Sequence, residues 1–401
     1  MMDLFSESFR RDPFPAYERL RSAAPVLHEP MTGLWLLSDY DGVKRALTDH
    51  EAFSSMVSPP PSKPSQWLIF MDAERHTKLR ALVSRAFTPR AVAALEPRIR
   101  QISRGLLDRA LHRGEMELMA EFSIPLPLMV IAEMLGAPVD DWPTFRRWGD
   151  GLLVLIQTLN NAAAAEQAAA TFYGVHAEME AYLAALLDVR RRAPADDLLT
   201  RLLEAEVDGE RLSDEEILGF FQLLLVAGHE TTTNLIDNAV LCFLDHPDQL
   251  ARVRAEPALL PIAIEEVLRF RSPVQTGFRL TRRDVEVHGQ VIPAGKRVLA
   301  VIGAANRDPA HFAEPNRFDV ARDPNPHLAF GHGIHYCLGA PLARLEARIA
   351  LGHLLDATTG LRLASDEPWE PRAGFHVHGP TRLHVQFDVG ASCPGAYSPG
   401  D

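Results

Sequence analysis

At 401 residues with 47% apolar content, the chain can bury a large core, yet it exceeds the roughly 250–300 residues at which most chains divide into domains. A formal net charge of −12 argues against a nucleic-acid partner, which needs clustered basic surface, and mainly predicts solubility. Cys242, Cys337 and Cys393 are too few and too scattered for a disulfide framework and fit a reducing cytoplasm, and residues 1–21 hold no apolar run long enough for a signal peptide or membrane anchor.

In chain order, Asp12-Pro13-Phe14-Pro15 reads as a turn feeding a short helix. Leu34-Trp35-Leu36-Leu37 predicts a strand, and Ser38-Asp39 a capped helix through Val43 to Leu47. Pro59, Pro60, Pro61 and Pro64 make residues 57–65 a loop. A helix entered from Met71 carries His76 and Arg80 on one face, which in isolation is a solvated basic surface. Residues 90–203 are largely helical, with apolar positions such as Leu106, Leu107 and Leu111, then Ile131, Met134 and Leu135, recurring at three or four. Residues 161–170 contain good helix formers but few large anchors, a candidate mobile segment.

Ser213-Asp214-Glu215-Glu216 is a capping box opening a helix that should run to about Leu244, before Asp245-His246-Pro247 stops it. Gln222 and the run His229 to Asn234 interrupt its apolar surface, so it is a core helix with a polar centre and not a membrane span. A buried carboxylate or hydroxyl is costly unless something satisfies it, which makes Ala227-Gly228-His229-Glu230-Thr231-Thr232 a candidate functional patch. A threonine bonded back to the preceding turn is the structural alternative, and both can hold. Glu266 and Arg269 stand at i,i+3 and can pair. Arg279 precedes an alternating hairpin over residues 284–295. A helix is expected from Ala340, short strands over residues 361–387 around Gly379-Pro380, and a disordered tail over residues 390–401.

The chain is organised around Phe330-Gly331-His332-Gly333-Ile334-His335-Tyr336-Cys337-Leu338-Gly339. Gly331, Gly333 and Gly339 permit a tight turn that brings amide N–H groups towards the Cys337 sulfur. A nucleophilic cysteine would need an acidic residue close in sequence to orient His335, and a zinc ligand a Cys-x-x-Cys partner; neither is present. The spacing Phe-Gly-x-Gly-x-His-x-Cys-x-Gly resembles the haem-binding loop of the cytochrome P450 family, whose cysteine thiolate is the proximal iron ligand.

That resemblance extends from Asp12 to about Val389 and implies a fold that is mainly α with a smaller β portion, one haem-thiolate domain over residues 1–389. It implies haem b (iron protoporphyrin IX) ligated by Cys337, with Phe330, Gly339, Ala227 and Gly228 around the cofactor and His76, Arg80, Arg279 and His335 on its propionates. Thr231 and Glu230 match the family's alcohol and acid that deliver protons, and residues 161–170 fall at its substrate lid. Glu266 and Arg269 with Arg317 resemble the family's buried structural triad. Family placement puts Trp67, Leu68, Leu223, Val226, Val274, Thr276 and Val377 around an apolar substrate, a polycyclic or macrocyclic skeleton in preference to a fatty acid.

The expected activity is insertion of one atom of O2 into a small molecule such as a terpenoid, steroid or polyketide, by a cytoplasmic monomer. No Gly-x-Gly-x-x-Gly segment follows a strand, so electrons from NAD(P)H are expected through a separate ferredoxin and ferredoxin reductase, docking on basic residues Lys78, Arg85, Arg90, Arg344 and Arg348. Two alternatives are a peroxide-driven peroxygenase, disfavoured because Glu230 and Thr231 are retained, and a haem-based gas sensor or carrier, disfavoured because no output domain is visible.

Overall fold

The computed structural model describes residues 6–30, 32–56, 67–157 and 162–390. The proline-rich loop, the start of the alanine-rich segment at Asn161 and the tail with Cys393 lie outside the described residues. From Ala162 onward that alanine-rich segment is the first part of a long helix, Ala162–Arg192.

The helix Asp214–Asp245 is the centre of the molecule. At its start Ser213 Oγ accepts from the Glu216 amide at 3.2 Å and the Glu216 carboxylate accepts from the Ser213 amide at 2.9 Å. At its end Pro247 cannot continue the helix. Its apolar residues point in almost every direction because helices Pro125–Leu135, Trp142–Gln157, Leu260–Phe270 and Ala340–Ala357 pack around it, the pattern of a buried helix.

The smaller β portion joins the two halves of the chain. Five strands lie in the order Val26–Glu29, Leu34–Leu37, Arg297–Val301, Thr276–Thr281, Phe53–Ser54, with Arg297–Val301 parallel to Leu34–Leu37 and antiparallel to Thr276–Thr281. Alternate residues serve different layers. Val298 and Ala300 pack with Val26, Leu37 and Phe53, whereas Leu299 and Val301 pack with Phe9, Tyr17 and Leu20 of the first two helices. The expected hairpin is present as Val285–Val287 and Gln290–Ile292, turning through His288 and Gly289 at positive φ.

A second sheet contains Thr358–Leu363, His384–Val389 and Glu115–Glu117. Only the ends of the expected strand region pair in this way; between them the chain is irregular, with bridges Val274↔Val377 and Pro371↔Pro380. Strand Glu115–Glu117 and the π-helical turn Met119–Ser123 interrupt a region read as helical. The strand's partner is residues 384–386 and the turn packs on the central helix, so nothing local in sequence announces either.

Glu266 and Arg269 form a fully buried ion pair through two 2.8 Å hydrogen bonds. Arg269 also donates to the carbonyls of Asn306, Pro315 and Arg317, and Glu266 also accepts from Asp319 N and Asn325 Nδ2. The second guanidinium on Glu266 is that of Arg322, at 3.0–3.1 Å, and not that of Arg317. Arg317 contributes only its carbonyl to the network; its half-exposed side chain pairs with Glu314. The expected triad therefore has Glu266 and Arg269 right and its third member wrong, because the turn at residues 314–322 carries two arginines and only Arg322 points inward.

This arrangement ranks the two arginines. Arg322→Ala should lower unfolding stability by about 1.5–3 kcal/mol, the loss of charged hydrogen bonds with Glu266 still neutralised by Arg269. Arg317→Ala, a surface change, should stay within about 0.5 kcal/mol of the parent. Urea midpoints of the two variants check the order; equal losses would contradict it.

Candidate active site

The cysteine loop is held from several sides. Leu328 N donates to Asn306 Oδ1 at 2.7 Å, and Cys337 N donates to Phe330 O at 2.9 Å. Gly331 and Gly333 have φ of 73° and 74°, so both use backbone freedom that glycine alone has cheaply. At Gly333 a Cβ would also stand 3.1 Å from Leu47 O. Gly339 differs from the expectation: it is right-handed, with φ −79°, and a Cβ there would make only an ordinary 3.9 Å contact with Cys337 Sγ, so neither the turn nor the described packing requires glycine.

Burial pushes the Cys337 thiol up, while the amides of Gly339 and Ala340 and the guanidiniums of Arg80 and Arg344 pull the other way by favouring the anion. Gly339 caps the helix Ala340–Ala357, whose positive end adds to this. Phe330 stacks beneath Arg344, 4.5 Å from ring centroid to guanidinium. Glu265 binds that guanidinium with two 2.7 Å bonds and also holds His327 at 3.0 Å, so neighbouring glutamates of one helix fix the approach to the loop and the loop itself.

Above the loop four cationic or imidazole side chains converge. The His76 and His335 rings are 4.2 Å apart, Arg80 Nη2 donates to Tyr336 O at 2.7 Å, and Arg279 Nη1 donates to Phe278 O at 2.7 Å. Both ring nitrogens of His76 and Nε2 of His335 are buried without a hydrogen-bond partner among the described residues. Burial first, then adjacent positive groups, takes His76 down to about 4, His335 down to about 3 and, through burial, Arg279 down to about 10. A neighbouring carboxylate, Asp72, is engaged by Ser54, Ser55 and Arg282. Buried donors left bare in this way call for an absent acceptor. The two carboxylates of haem would match these donors in hydrogen-bonding character, so the residues fit that group, with Cys337 as the residue that would ligate its iron and His76, Arg80, Arg279 and His335 those that would bind its carboxylates.

The central helix faces the same region. Leu223, Ala227 and Thr231, spaced by four, remain accessible, whereas Leu235 one turn later is buried; an open stripe on a core helix marks space above it. Thr231 Oγ1 donates to Ala227 O at 2.6 Å. Gly228 does not share that role: its Cβ would meet Ile131 Cδ1 at 3.0 Å, so it admits the helix Pro125–Leu135 and not the cofactor. Glu230 lies on the flank, buried, with Oε1 accepting from Arg372 Nη1 at 2.9 Å. Arg372 went unread in the sequence, where a buried acid signals that a cation must exist but not which one, 142 positions away.

The expected substrate set divides. Trp67 and Leu68 are buried against the central helix, and the Trp67 indole donates to Gln222 Oε1 at 3.0 Å. Leu223 and Val226 are partly buried on that helix. Val274 and Val377 are bridged to one another, with Val274 on the Val298 side of the sheet. Thr276 is excluded: it pairs with Val301, faces Phe9 and Tyr17, and its hydroxyl contacts His376 Nδ1 at 2.6 Å. Arg279 pairs with Val298 on the opposite face, so the period-two alternation from Arg279 could have removed Thr276 from the list. Of the five expected docking residues, Lys78, Arg344 and Arg348 are ion-paired, with Glu210, Glu265 and Glu96, whereas Arg85 donates to the Glu206 carbonyl and keeps its charge.

The cytochrome P450 family model matches residues 176–359. A putative cytochrome P450 of Bacillus subtilis is 43% identical over 362 residues, covering 89% of this chain and 90% of that protein. The vitamin D(3) 25-hydroxylase of Pseudonocardia autotrophica is 42% identical over 90% of each chain. The crystal structure of CYP109E1 from Bacillus megaterium in complex with testosterone superposes with a TM-score of 0.85 at 39% identity, over 94% of this chain and 99% of that one. The chain belongs to the cytochrome P450 family. As a P450 it is a monooxygenase with a mainly helical fold, and no helix among its described residues is long and apolar enough to cross a membrane.

Two outcomes follow for this P450. Cys337→Ser should lose the red-shifted Soret band of the ferrous carbonyl complex, which needs an anionic sulfur ligand, while Cys242→Ser, at a buried site on the central helix, retains it. An imidazole depressed to about 4 stays neutral in the fold but protonates in the unfolded chain near pH 6.5, so stability falls as pH drops from 6.5 towards 4. The haem-free protein should lose at most about 3 kcal/mol through His76 in that window, and less once propionates favour the charged ring. Urea midpoints at pH 7 and 5 for the parent and His76→Gln test this; an equal pH response in both would remove His76 from the account.

Proposed function

We propose that this P450 hydroxylates or epoxidises a largely apolar polycyclic or macrocyclic molecule, using electrons that a ferredoxin and its reductase carry from NAD(P)H. The observation that carries the reading is the pairing of a cysteine on a glycine turn with a bare cluster of buried donors, under an open stripe of the central helix. Cys337 would hold haem b as its iron ligand, and His76, Arg80, Arg279 and His335 would hold its carboxylates. The haem so bound supplies oxygen activation and transfer, with the thiolate favouring O–O cleavage.

The chain's own side chains do the rest. Ala227 leaves space on the distal face, and Thr231 offers hydroxyl lone pairs to that space while its proton rests on Ala227 O. Glu230 stands one residue earlier as the acid that handles protons. Trp67, Leu68, Leu223 and Val226, with Val274 and Val377, supply apolar surface, and burial of substrate area contributes roughly 25 cal/mol per Å². Gln222 offers them no free polar contact, since its amide is engaged by Trp67 at one end and by His176 at the other. Support for a polycyclic skeleton comes from the testosterone complex of one similar structure and from the hydroxylation of vitamin D(3) named for one relative.

Testosterone is therefore the first probe, by its spin-state shift in the haem spectrum and by turnover with a surrogate ferredoxin, reductase and NADPH. NADPH-driven product is expected. Product with peroxide alone would make the protein a peroxygenase, and turnover of neither kind with any member of a steroid, terpenoid and macrolide panel would sink the reading. Thr231→Ala should keep haem and substrate binding but divert several-fold more electrons to hydrogen peroxide; unchanged coupling would remove Thr231 from the proton path.

A further inference from the structure

Asp72 stands at the N-cap of the helix Ala73–Ala86, where an aspartate ordinarily accepts from an amide of the first turn, yet its side chain makes no capping hydrogen bond. Both oxygens turn to the five-stranded sheet instead. Oδ1 accepts from the Ser55 amide at 2.8 Å, and Oδ2 accepts from the Ser54 hydroxyl and from Arg282 Nη2. Only 11% of the Asp72 side chain is accessible. Burial works to raise its carboxyl, but the three donors outweigh it and hold the group below the usual carboxylate range.

These donors come from one edge of that sheet. Ser54 belongs to the two-residue strand Phe53–Ser54, which pairs with Leu280 and Thr281. A strand that short has little ladder of its own to hold it. Arg282 directly follows the neighbouring strand, Thr276–Thr281, and its amide donates to Ala52 O at 2.8 Å. That strand carries Arg279, and the helix that Asp72 opens carries His76 and Arg80. One carboxylate therefore joins the two elements that supply three of the four donors read as binding the haem carboxylates. Asp72 is also the anion that opposes burial at His76, Arg279 and His335, favouring their charged forms, which places it beside the cradle itself.

We infer that Asp72 is a positioning residue for the haem carboxylates: it ties the helix of His76 and Arg80 to the sheet edge of Arg279 and so preassembles the cradle that receives them. The inference rests on the reading of His76, Arg80, Arg279 and His335 as that cradle. Two effects of opposite sign compete here. A carboxylate beside an anion site repels the incoming anion, which on its own would make Asp72 a hindrance to cofactor binding. Yet the Asp72 charge is already met by Arg282, and its remaining capacity by Ser54 and Ser55. Two arginines and two imidazoles must be ordered before they can share two carboxylates, and a support that orders them beforehand removes that cost from binding. Preorganisation therefore wins, and removing the Asp72 charge weakens haem retention where simple repulsion would strengthen it.

The test follows haem transfer from the holoenzyme to an excess of haem-free myoglobin at neutral pH, for the parent and for Asp72→Asn, Asp72→Glu, Arg282→Gln and the double variant Asp72→Asn/Arg282→Gln. Each is first shown to be folded by circular dichroism and thiolate-ligated by the Soret band of its ferrous carbonyl complex. Asp72→Asn should speed transfer about ten-fold, the scale typical of a residue that orients a ligand-binding group, and should shift the propionate bending bands of the resonance Raman spectrum. Arg282→Gln should act in the same direction, and the double variant should be no more than about twice as fast as Asp72→Asn, because both changes break one contact. Asp72→Glu, which keeps the charge, should recover part of the loss, and Glu74→Gln, exposed in the first turn of the same helix, should match the parent. Unchanged or slower transfer from Asp72→Asn would overturn the inference. So would faster transfer with unmoved propionate bands, the mark of a merely structural role. If Asp72→Asn does not fold, the half-exposed Arg282→Gln decides alone, by the same two readouts. His76→Gln separates the two levels: if it neither speeds transfer nor moves those bands, the cradle reading fails first.

Discussion

The structure depends on one buried charge cluster, Glu266 with Arg269 and Arg322. Taking such charges out of water costs several kcal/mol per ion, and only complete hydrogen bonding makes the burial tolerable. Here it is complete: the carboxylate accepts from two guanidiniums, an amide and an asparagine, and Arg269 spends its remaining donors on three carbonyls of the irregular stretch between Asn306 and Arg317. That stretch has little regular structure to stabilise itself. The cluster substitutes for a missing helix or sheet, and the chain leaves it already aimed at the cysteine loop.

Glu265, the next residue back, extends the same logic to the loop. Through His327 and Arg344 it links the helix Leu260–Phe270 to both sides of Phe330. Its pairing with Arg344 and His327 outweighs burial and holds its carboxyl down at about 2, so the carboxylate stays ionised at neutral pH. Arg307 is used in a similar way, flat between the rings of Phe14 and Phe270 at 3.6 and 3.8 Å, tying the second helix to this region. Rigid supports of this kind are what a cofactor-binding loop requires, because a loop positions atoms only as well as its anchors do.

Much of this was legible in the sequence wherever a local pattern carried it. The capping box at Ser213, the proline stop after Asp245, the hairpin turn at Gly289 and the glycines at 331 and 333 all report on neighbours within a few residues, and all appear where expected. What escaped depends on side-chain direction or distant partners. Arg317 and Arg322 are both plausible from sequence, and only the fold turns one inward. Gly228 and Gly339 look alike as small residues near a cofactor, yet one admits a helix and the other would tolerate a Cβ at ordinary contact distance from the sulfur. Arg372 has no motif at all; its significance comes from a loop laid across the central helix by contacts with the first helix.

The five-stranded sheet has a consequence for biosynthesis. Its middle strand, Arg297–Val301, pairs with a strand from the beginning of the chain, and the side chains expected to grip haem are spread from His76 to Cys337. At about 5–20 residues per second, a ribosome needs on the order of 13–50 s to travel that distance, and a domain folds as a unit. During that interval residues 26–37 wait without their sheet partner, and His76 without the loop that completes its pocket. Cofactor capture is therefore a late event, open only after nearly the whole polypeptide has been made. A nascent chain truncated before residue 297 would be both unable to bind haem and left with an exposed strand edge, the kind of surface on which aggregation begins.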